Sequence, residues 1–259
     1  MYFNNKNNFL HGINFHHFHD DKKHLAGQGS INKDDFNSII KFIVIHYTGM
    51  QSERESLLRL CNIKFKVSSH FLINESGKIY RLVKDNHIAW HAGKSCWGNY
   101  KNLNKNSIGI ELVNRGHHFG YTNFKKKQLL SLIRICKILK KKYKIKKKNI
   151  VGHSDVAPLR KIDPGEKFPW KELAHKKIGI WHNCNTKILK KLRKVRISSK
   201  FKLEFINNLK KIGYCFDNKK KVNLAKAIKA FQRHYRKELI NGIIDKECFL
   251  IAKNILKKI

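Results

Sequence analysis

The 259-residue sequence predicts an α/β fold, a central mixed β-sheet flanked by helices, with a small C-terminal three-helix domain. Three observations carry this. The run Phe42-Ile43-Val44-Ile45 is continuous, apolar and β-branched, the pattern of a strand buried on both faces. Ser69-His70-Phe71-Leu72-Ile73 and Ile79-Tyr80-Arg81-Leu82-Val83 flank the turn Glu75-Ser76-Gly77-Lys78 and read as a hairpin. Residues 124–143 place Leu129, Leu132, Ile133, Cys136 and Leu139 at helical spacing opposite a lysine face, as for a helix packed on a sheet.

The other elements follow in order. Residues 1–38 are polar and histidine-rich (His11, His16, His17, His19, His24) with no sustained period. They read as a loosely packed extension, the alternative being a second metal site. A short helix is expected near 57–62, and a strand over Ser107-Ile108-Gly109-Ile110-Glu111-Leu112-Val113. Ile150-Val151 starts a short strand that runs into His153. Strands mixed with helices in this order argue for a main sheet domain over 39–185. A lysine-rich linker is expected over 186–197, and a helical domain over 198–259. The helical stripes there are Phe201, Phe205, Ile206, Leu209, Ile212, then Leu224, Ala227, Ile228, Phe231, Tyr235. After the turn Asn241-Gly242 a third helix covers 247–259, enough for a small bundle.

Composition narrows the partners. Lysine and arginine total 56 against 18 acids, a formal charge of +38, which attracts polyanions. Lys, Asn and Ile crowd every surface stretch, as a genome biased toward A and T would produce. The aromatics sit in apolar periodic stretches, not interleaved with arginine as in single-strand binders. No specific nucleic-acid partner is therefore expected. No apolar run reaches the roughly 18 residues of a membrane span. The first ten residues lack the apolar segment of a secretory signal, which leaves the location open between cytoplasm and envelope. Six scattered cysteines (61, 96, 136, 184, 215, 248) form no CxxC pair and are expected mostly as buried thiols. A monomer is expected.

Three segments read as one metal site. His46 follows the first strand, His153 ends the short strand, and Asp163 lies ten positions further on. Taken singly, each is ordinary: a satisfied core histidine, or a turn aspartate before Pro164-Gly165. Together, two histidines and a carboxylate suit one Zn2+ per chain. Three protein ligands leave a fourth position for water, which is the catalytic arrangement.

The string His153-Ser154-Asp155-Val156-Ala157-Pro158-Leu159-Arg160-Lys161-Ile162-Asp163-Pro164-Gly165, followed by Phe168-Pro169-Trp170, resembles the signature of a known family. The family is the zinc-dependent type-2 N-acetylmuramoyl-L-alanine amidases, the AmpD- and AmiD-like enzymes. Val44-Ile45-His46-Tyr47-Thr48, Val67-Ser68-Ser69-His70-Phe71, Ala89-Trp90-His91-Ala92-Gly93 with Trp97, and Ser107-Ile108-Gly109-Ile110-Glu111-Leu112 match it in the same order. The resemblance implies the fold shared with peptidoglycan recognition proteins. It implies peptidoglycan or muropeptide fragments as partners, cut between N-acetylmuramic acid (intact or 1,6-anhydro) and L-alanine. Glu111 corresponds to the general base, and Lys161 to the cation that stabilises the oxyanion. His91, Ala92 and Trp97 resemble the walls of the substrate groove. Asn114 and Arg160 are expected as hydrogen-bond donors to the stem peptide.

Ala230-Phe231-Gln232-Arg233-His234-Tyr235, then Asn241-Gly242-Ile243-Ile244-Asp245, is similar to the small peptidoglycan-binding domain appended to such enzymes. That family usually shows Asp-Gly at the turn, and Asn-Gly serves the same positive φ. Deleting 198–259 is accordingly expected to spare cleavage of small muropeptides while weakening binding to whole wall. The alternative function is a recognition module that grips muropeptides without cutting. His46, His153, Asp163, Glu111 and Lys161 are all present, a complete set of metal ligands, base and oxyanion group, and favour the enzyme.

Overall fold

In the computed structural model, which describes Phe15 and residues 40–259, the β-branched run becomes strand β1 (Phe42–Tyr47). Apart from Phe15, the histidine-rich extension and the alternative of a second metal site within it lie outside the described residues. The predicted hairpin is β2 (Phe71–Ile73) paired antiparallel with β3 (Ile79–Arg81). A two-stranded ribbon follows, β4 (Cys96–Trp97) with β5 (Tyr100–Lys101). Then come β6 (Ser107–Leu112) and β7 (Ile150–Gly152). The main sheet has the order β3-β2-β6-β1-β7. β2, β6, β1 and β7 run parallel and β3 is the antiparallel edge, so the sheet is mixed as predicted.

A parallel sheet has to be covered on both faces. Alternation along β1 turns Ile43 and Ile45 to one face and Phe42, Val44 and His46 to the other. On the first face lies the predicted amphipathic helix. It is the second helix of the described chain, after α1 (Glu53–Cys61), so α2 is Lys126–Lys142. Its Leu132, Ile135, Cys136 and Leu139 meet Ile43, Ile45, Ile108 and Ile110. The buried Gln128 amide donates to the Ile73 and Val113 carbonyls at 2.9 and 3.0 Å and pins α2 to the strand ends. α1 is capped by Ser52, whose side chain accepts from Glu55 N–H, and it packs Leu57 and Leu60 on Leu72, Tyr80 and Val113.

The second face is covered from the C-terminal half. Four elements lead there: α3 (His153–Val156), α4 (Trp170–His175), α5 (Thr186–Leu192) and α6 (Ser199–Ile212). Helices α7 (Lys221–Tyr235) and α8 (Lys246–Leu256) complete the chain. Phe205, Leu209, Phe231, Ile251 and Ala252 share one apolar cluster with Phe42, Val44, Val151 and Val156 of the sheet side. The three predicted stripes are therefore α6–α8. α5 lies inside the segment expected as linker. Asn185 caps it by accepting from the Lys187 and Ile188 N–H groups, and Leu189 is buried. Its lysines face outward and mask this in the sequence. Among the described residues, no helix is long and apolar enough to cross a membrane.

The cysteines correct one expectation. Cys96 and Cys215 form a disulfide across 119 positions, Cys136 and Cys248 are buried thiols, and Cys61 and Cys184 are partly buried. The pair forms because β4 meets the turn after α6, where Gly98 N–H donates to the Gly213 carbonyl at 2.8 Å. The Trp97 and Tyr214 rings meet edge-on with centroids 4.9 Å apart. Gly213 sits at φ 138°, and a Cβ there would lie 2.3 Å from the Trp97 ring, so the indole requires a glycine. A disulfide closing so long a loop stabilises by about 2–4 kcal/mol. Cys96→Ser is therefore expected to lower the melting temperature by roughly 5–15 °C under oxidising conditions. Scanning calorimetry with and without reductant checks it: the difference between wild type and variant should vanish once the wild type is reduced.

Candidate active site

The site forms where the carboxyl ends of the parallel strands converge, the usual place for ligands in such sheets. His46 and Glu111 are register partners on β1 and β6, so their side chains lie side by side. β7 ends at Gly152, and His153 opens α3 directly behind it. The loop after α3 returns with Asp163, whose carbonyl accepts from Ser154 N–H at 2.8 Å. The Asp163–Pro164 peptide is cis.

The three predicted ligand atoms meet. His46 Nδ1 lies 3.0 Å from His153 Nδ1 and 3.0 Å from Asp163 Oδ2, and His153 Nδ1 is 3.1 Å from Asp163 Oδ2. All three side chains are buried. His153 donates its Nε2–H to the Ala92 carbonyl at 3.2 Å, which leaves Nδ1 as a bare lone pair. Two ring nitrogens and a carboxylate oxygen crowded this closely lack positive charge between them, and a cation supplies it. The donor set fits a metal, and nitrogen with carboxylate ligands suits zinc. Burial, with the neighbouring His153, lowers the His46 pKa to about 4, so the ring is neutral at pH 7 as a ligand must be.

Glu111 behaves oppositely. Burial first, then the charge on Asp163, push its pKa up to about 8, against the pull of Lys161. Its Oε2 is buried and has no hydrogen-bond partner among the described residues. Glu111 and Lys161 line one cleft of about 690 Å3 with His46, His153 and Asp163. Arg160 borders the same cleft, its guanidinium donating to the Ala92 carbonyl and, from Nε, to the Lys94 carbonyl at 3.0 Å.

The other expected groove residues are placed differently. His91 reaches the cleft but is buried, with both ring nitrogens engaged. Ala92 acts through its carbonyl, which orients His153 and Arg160. Trp97 is buried against Tyr214 and Gly213. The Asn114 amide donates to the Thr122 carbonyl and accepts from Gly116 N–H, both at 3.0 Å, and so holds its own loop. Asp155, which the sequence alone does not single out, is a buried carboxylate behind the site. Its carboxylate accepts from Gly152 N–H at 2.8 Å, Tyr214 O–H at 2.7 Å and His234 Nδ1 at 2.7 Å. It ties α6 and α7 to the turn that carries His153. Its place two residues after His153 was the available signal. Tyr47, Thr48, His118 and Phe119 also border the cleft.

Comparison with known proteins shows the family and the fold. The family model described as N-acetylmuramoyl-L-alanine amidase matches residues 36–166. The chain is 36% identical over 237 residues to the N-acetylmuramoyl-L-alanine amidase AmiD of Escherichia coli, covering 85% of this chain and 83% of that protein. It is 41% identical over 108 residues to the 1,6-anhydro-N-acetylmuramyl-L-alanine amidase AmpD of Haemophilus influenzae, covering 41% of this chain and 56% of that one. The structure of E. coli AmiD with the substrate anhydro-N-acetylmuramic acid-L-Ala-D-gamma-Glu-L-Lys superposes with a TM-score of 0.75 at 35% identity, over 85% of this chain and 89% of that one. AmpDh3 of Pseudomonas aeruginosa, in complex with anhydromuramic pentapeptide, gives 0.74 at 30% identity, over 85% and 92%.

Proposed function

The chain belongs to the N-acetylmuramoyl-L-alanine amidase family, and we propose that it hydrolyses the amide between N-acetylmuramic acid and the L-alanine of the stem peptide with one zinc ion held by His46, His153 and Asp163. The observation that carries this is the meeting of three inward-turned ligand atoms beside a buried carboxyl of raised pKa. Intact and 1,6-anhydro muropeptides are both taken as substrates.

Bound zinc supplies Lewis acidity toward the amide carbonyl and lowers the pKa of water toward 7. The chain's own residues do the rest. Glu111 takes a proton from the attacking water as its oxygen bonds to the carbonyl carbon. It returns that proton to the nitrogen of L-alanine as the C–N bond breaks. Zinc held beside it would favour the ionised carboxylate that takes the first proton, while burial keeps the group basic enough to hold that proton and return it. Lys161 presents its charge to the oxyanion that develops on the carbonyl oxygen. Arg160, fixed by two carbonyls, faces the carboxylates of the stem peptide. The +38 charge raises the encounter rate with such anionic fragments. Residues 198–259 contribute a second surface for the wall polymer.

Incubation of the purified chain with intact and 1,6-anhydro muropeptides tests the proposal by mass spectrometry. Free stem peptide beginning at L-alanine is expected. Its release should stop with chelator and return with zinc. Zinc-loaded protein that binds muropeptide and leaves it whole would mean a recognition module instead.

A further inference from the structure

Strand β6 turns Ile108 and Ile110 into the core under α2. Alternation therefore presents Ser107, Gly109 and Glu111 to the opposite face, where the site lies. The His91 ring rests against that face. A Cβ on residue 109 would lie 2.4 Å from the His91 Cγ, so the ring fits only over a glycine. His91 Nε2 is 3.1 Å from Ser107 Oγ, and His91 Nδ1 is 3.0 Å from His46 Nε2.

The direction of each hydrogen bond follows from what the groups can do. The Ser107 hydroxyl also contacts the Leu103 carbonyl. A carbonyl carries no proton, so the hydroxyl donates there and offers His91 only lone pairs. His91 Nε2 is then the donor to Ser107. A neutral imidazole has a single N–H, so His91 Nδ1 accepts. His46 donates to it from Nε2 and is left with a bare Nδ1. That is the atom found 3.0 Å from both His153 Nδ1 and Asp163 Oδ2.

We propose that Leu103, Ser107 and His91 form a relay that locks His46 in its Nε2–H tautomer and so presets Nδ1 for zinc. His91 is then a positioning residue rather than a groove wall. The proposal rests on the reading of His46 as a zinc ligand. Ligating histidines commonly pass their second N–H to a carboxylate, a carbonyl or water. His153 does this through Ala92. His46 uses another imidazole, which itself needs a hydroxyl to aim it. The spacing Ser-x-Gly-x-Glu on β6 thus carries three parts: the aiming hydroxyl, the gap for the ring and the base.

Long-range 1H–15N correlation spectra of the full zinc-free chain read the tautomers directly. Both His91 and His46 are expected to carry their proton on Nε2. Zinc affinity, measured by competition with a chromophoric chelator, is the second readout. His91→Phe keeps a ring but has no acceptor, and should weaken zinc about 10- to 100-fold. His91→Asn offers an amide oxygen near the place of Nδ1 and should restore most of that loss. Ser107→Ala should weaken zinc less than His91→Phe. Zinc bound by the wild type and lost in His46→Ala upholds the ligand reading. A proton on His91 Nδ1 alongside that result overturns the relay alone, as does an unchanged affinity in folded His91→Phe. Wild-type protein that binds no zinc overturns the ligand reading itself.

Discussion

Glu111→Gln is expected to lower kcat on muropeptides roughly 100- to 10,000-fold, the usual contribution of general acid–base catalysis. Zinc content should stay the same, since Glu111 is outside the ligand set. The same variant is expected to melt at a higher temperature than wild type when both are zinc-free at pH 8. The reason is the buried carboxyl, whose pKa rises from 4.5 to about 8 in the folded chain. Below pH 4.5 both folded and unfolded chains hold the proton, and the group favours neither. Between pH 4.5 and about 8 the unfolded chain releases it while the folded chain keeps it. Stability is lost over that window at about 1.4 kcal/mol per pH unit, a few kcal/mol in all. Glutamine has no proton to release and loses nothing. The gap in melting temperature between variant and wild type should therefore be small at pH 5 and widen toward pH 8. A gap independent of pH would mean that Glu111 is solvated. With zinc bound the gap should shrink, because the cation favours the ionised carboxylate. Loss of turnover with gain of stability is the signature of a group kept for chemistry at the expense of folding.

Much of this was legible in the sequence for a definite reason. Phe42 to Ile45 lie in a strand buried on both faces, and such a strand cannot alternate in polarity. The candidate metal set His46, His153 and Asp163 was legible because the chemistry permits few residue types, and these residues sit at strand ends or in the loop that follows. What the local pattern could not show was which distant segment completes each contact. The apolar side chains Phe42 and Val44 demanded a cover, but nothing near them says that Phe205 and Phe231 provide it. Trp97 looked like a groove aromatic until Gly213 and Tyr214 came to lie on it. The Cys96–Cys215 bond depends on the same approach. His91 reads in the sequence as a groove wall, and its buried place depends on a gap at Gly109 that only three dimensions reveal.

Deleting residues 198–259 is expected to abolish cleavage of small muropeptides as well as of whole wall, the reverse of what a detachable binding domain would show. Helices α6–α8 cover the second face of the sheet. Phe42, Val44, Val151 and Val156 are at most 2% exposed and would be uncovered in part. Each fully buried side chain of this kind contributes about 1.5–3 kcal/mol. Several together approach the roughly 5–15 kcal/mol net stability of a domain. Electrostatics adds to the loss. Asp155 would keep Gly152 N–H and lose Tyr214 and His234, so a buried carboxylate next to the His153 turn would be short of two partners. Each unmet bond costs about 1–3 kcal/mol, and more for a charged group. The fragment 1–197 should therefore be poorly soluble, bind zinc weakly and exchange its β7 amides quickly. Tyr214→Phe in the full chain isolates the electrostatic part: the fold persists, and the melting temperature falls by a few degrees. A soluble fragment with wild-type kcat/KM on free muropeptides would show that the sheet needs no second cover. The helices would then be an appendage in function as well as in sequence. On the packing described, the helices cover the second face of the sheet, and Asp155 ties them to the turn that carries His153.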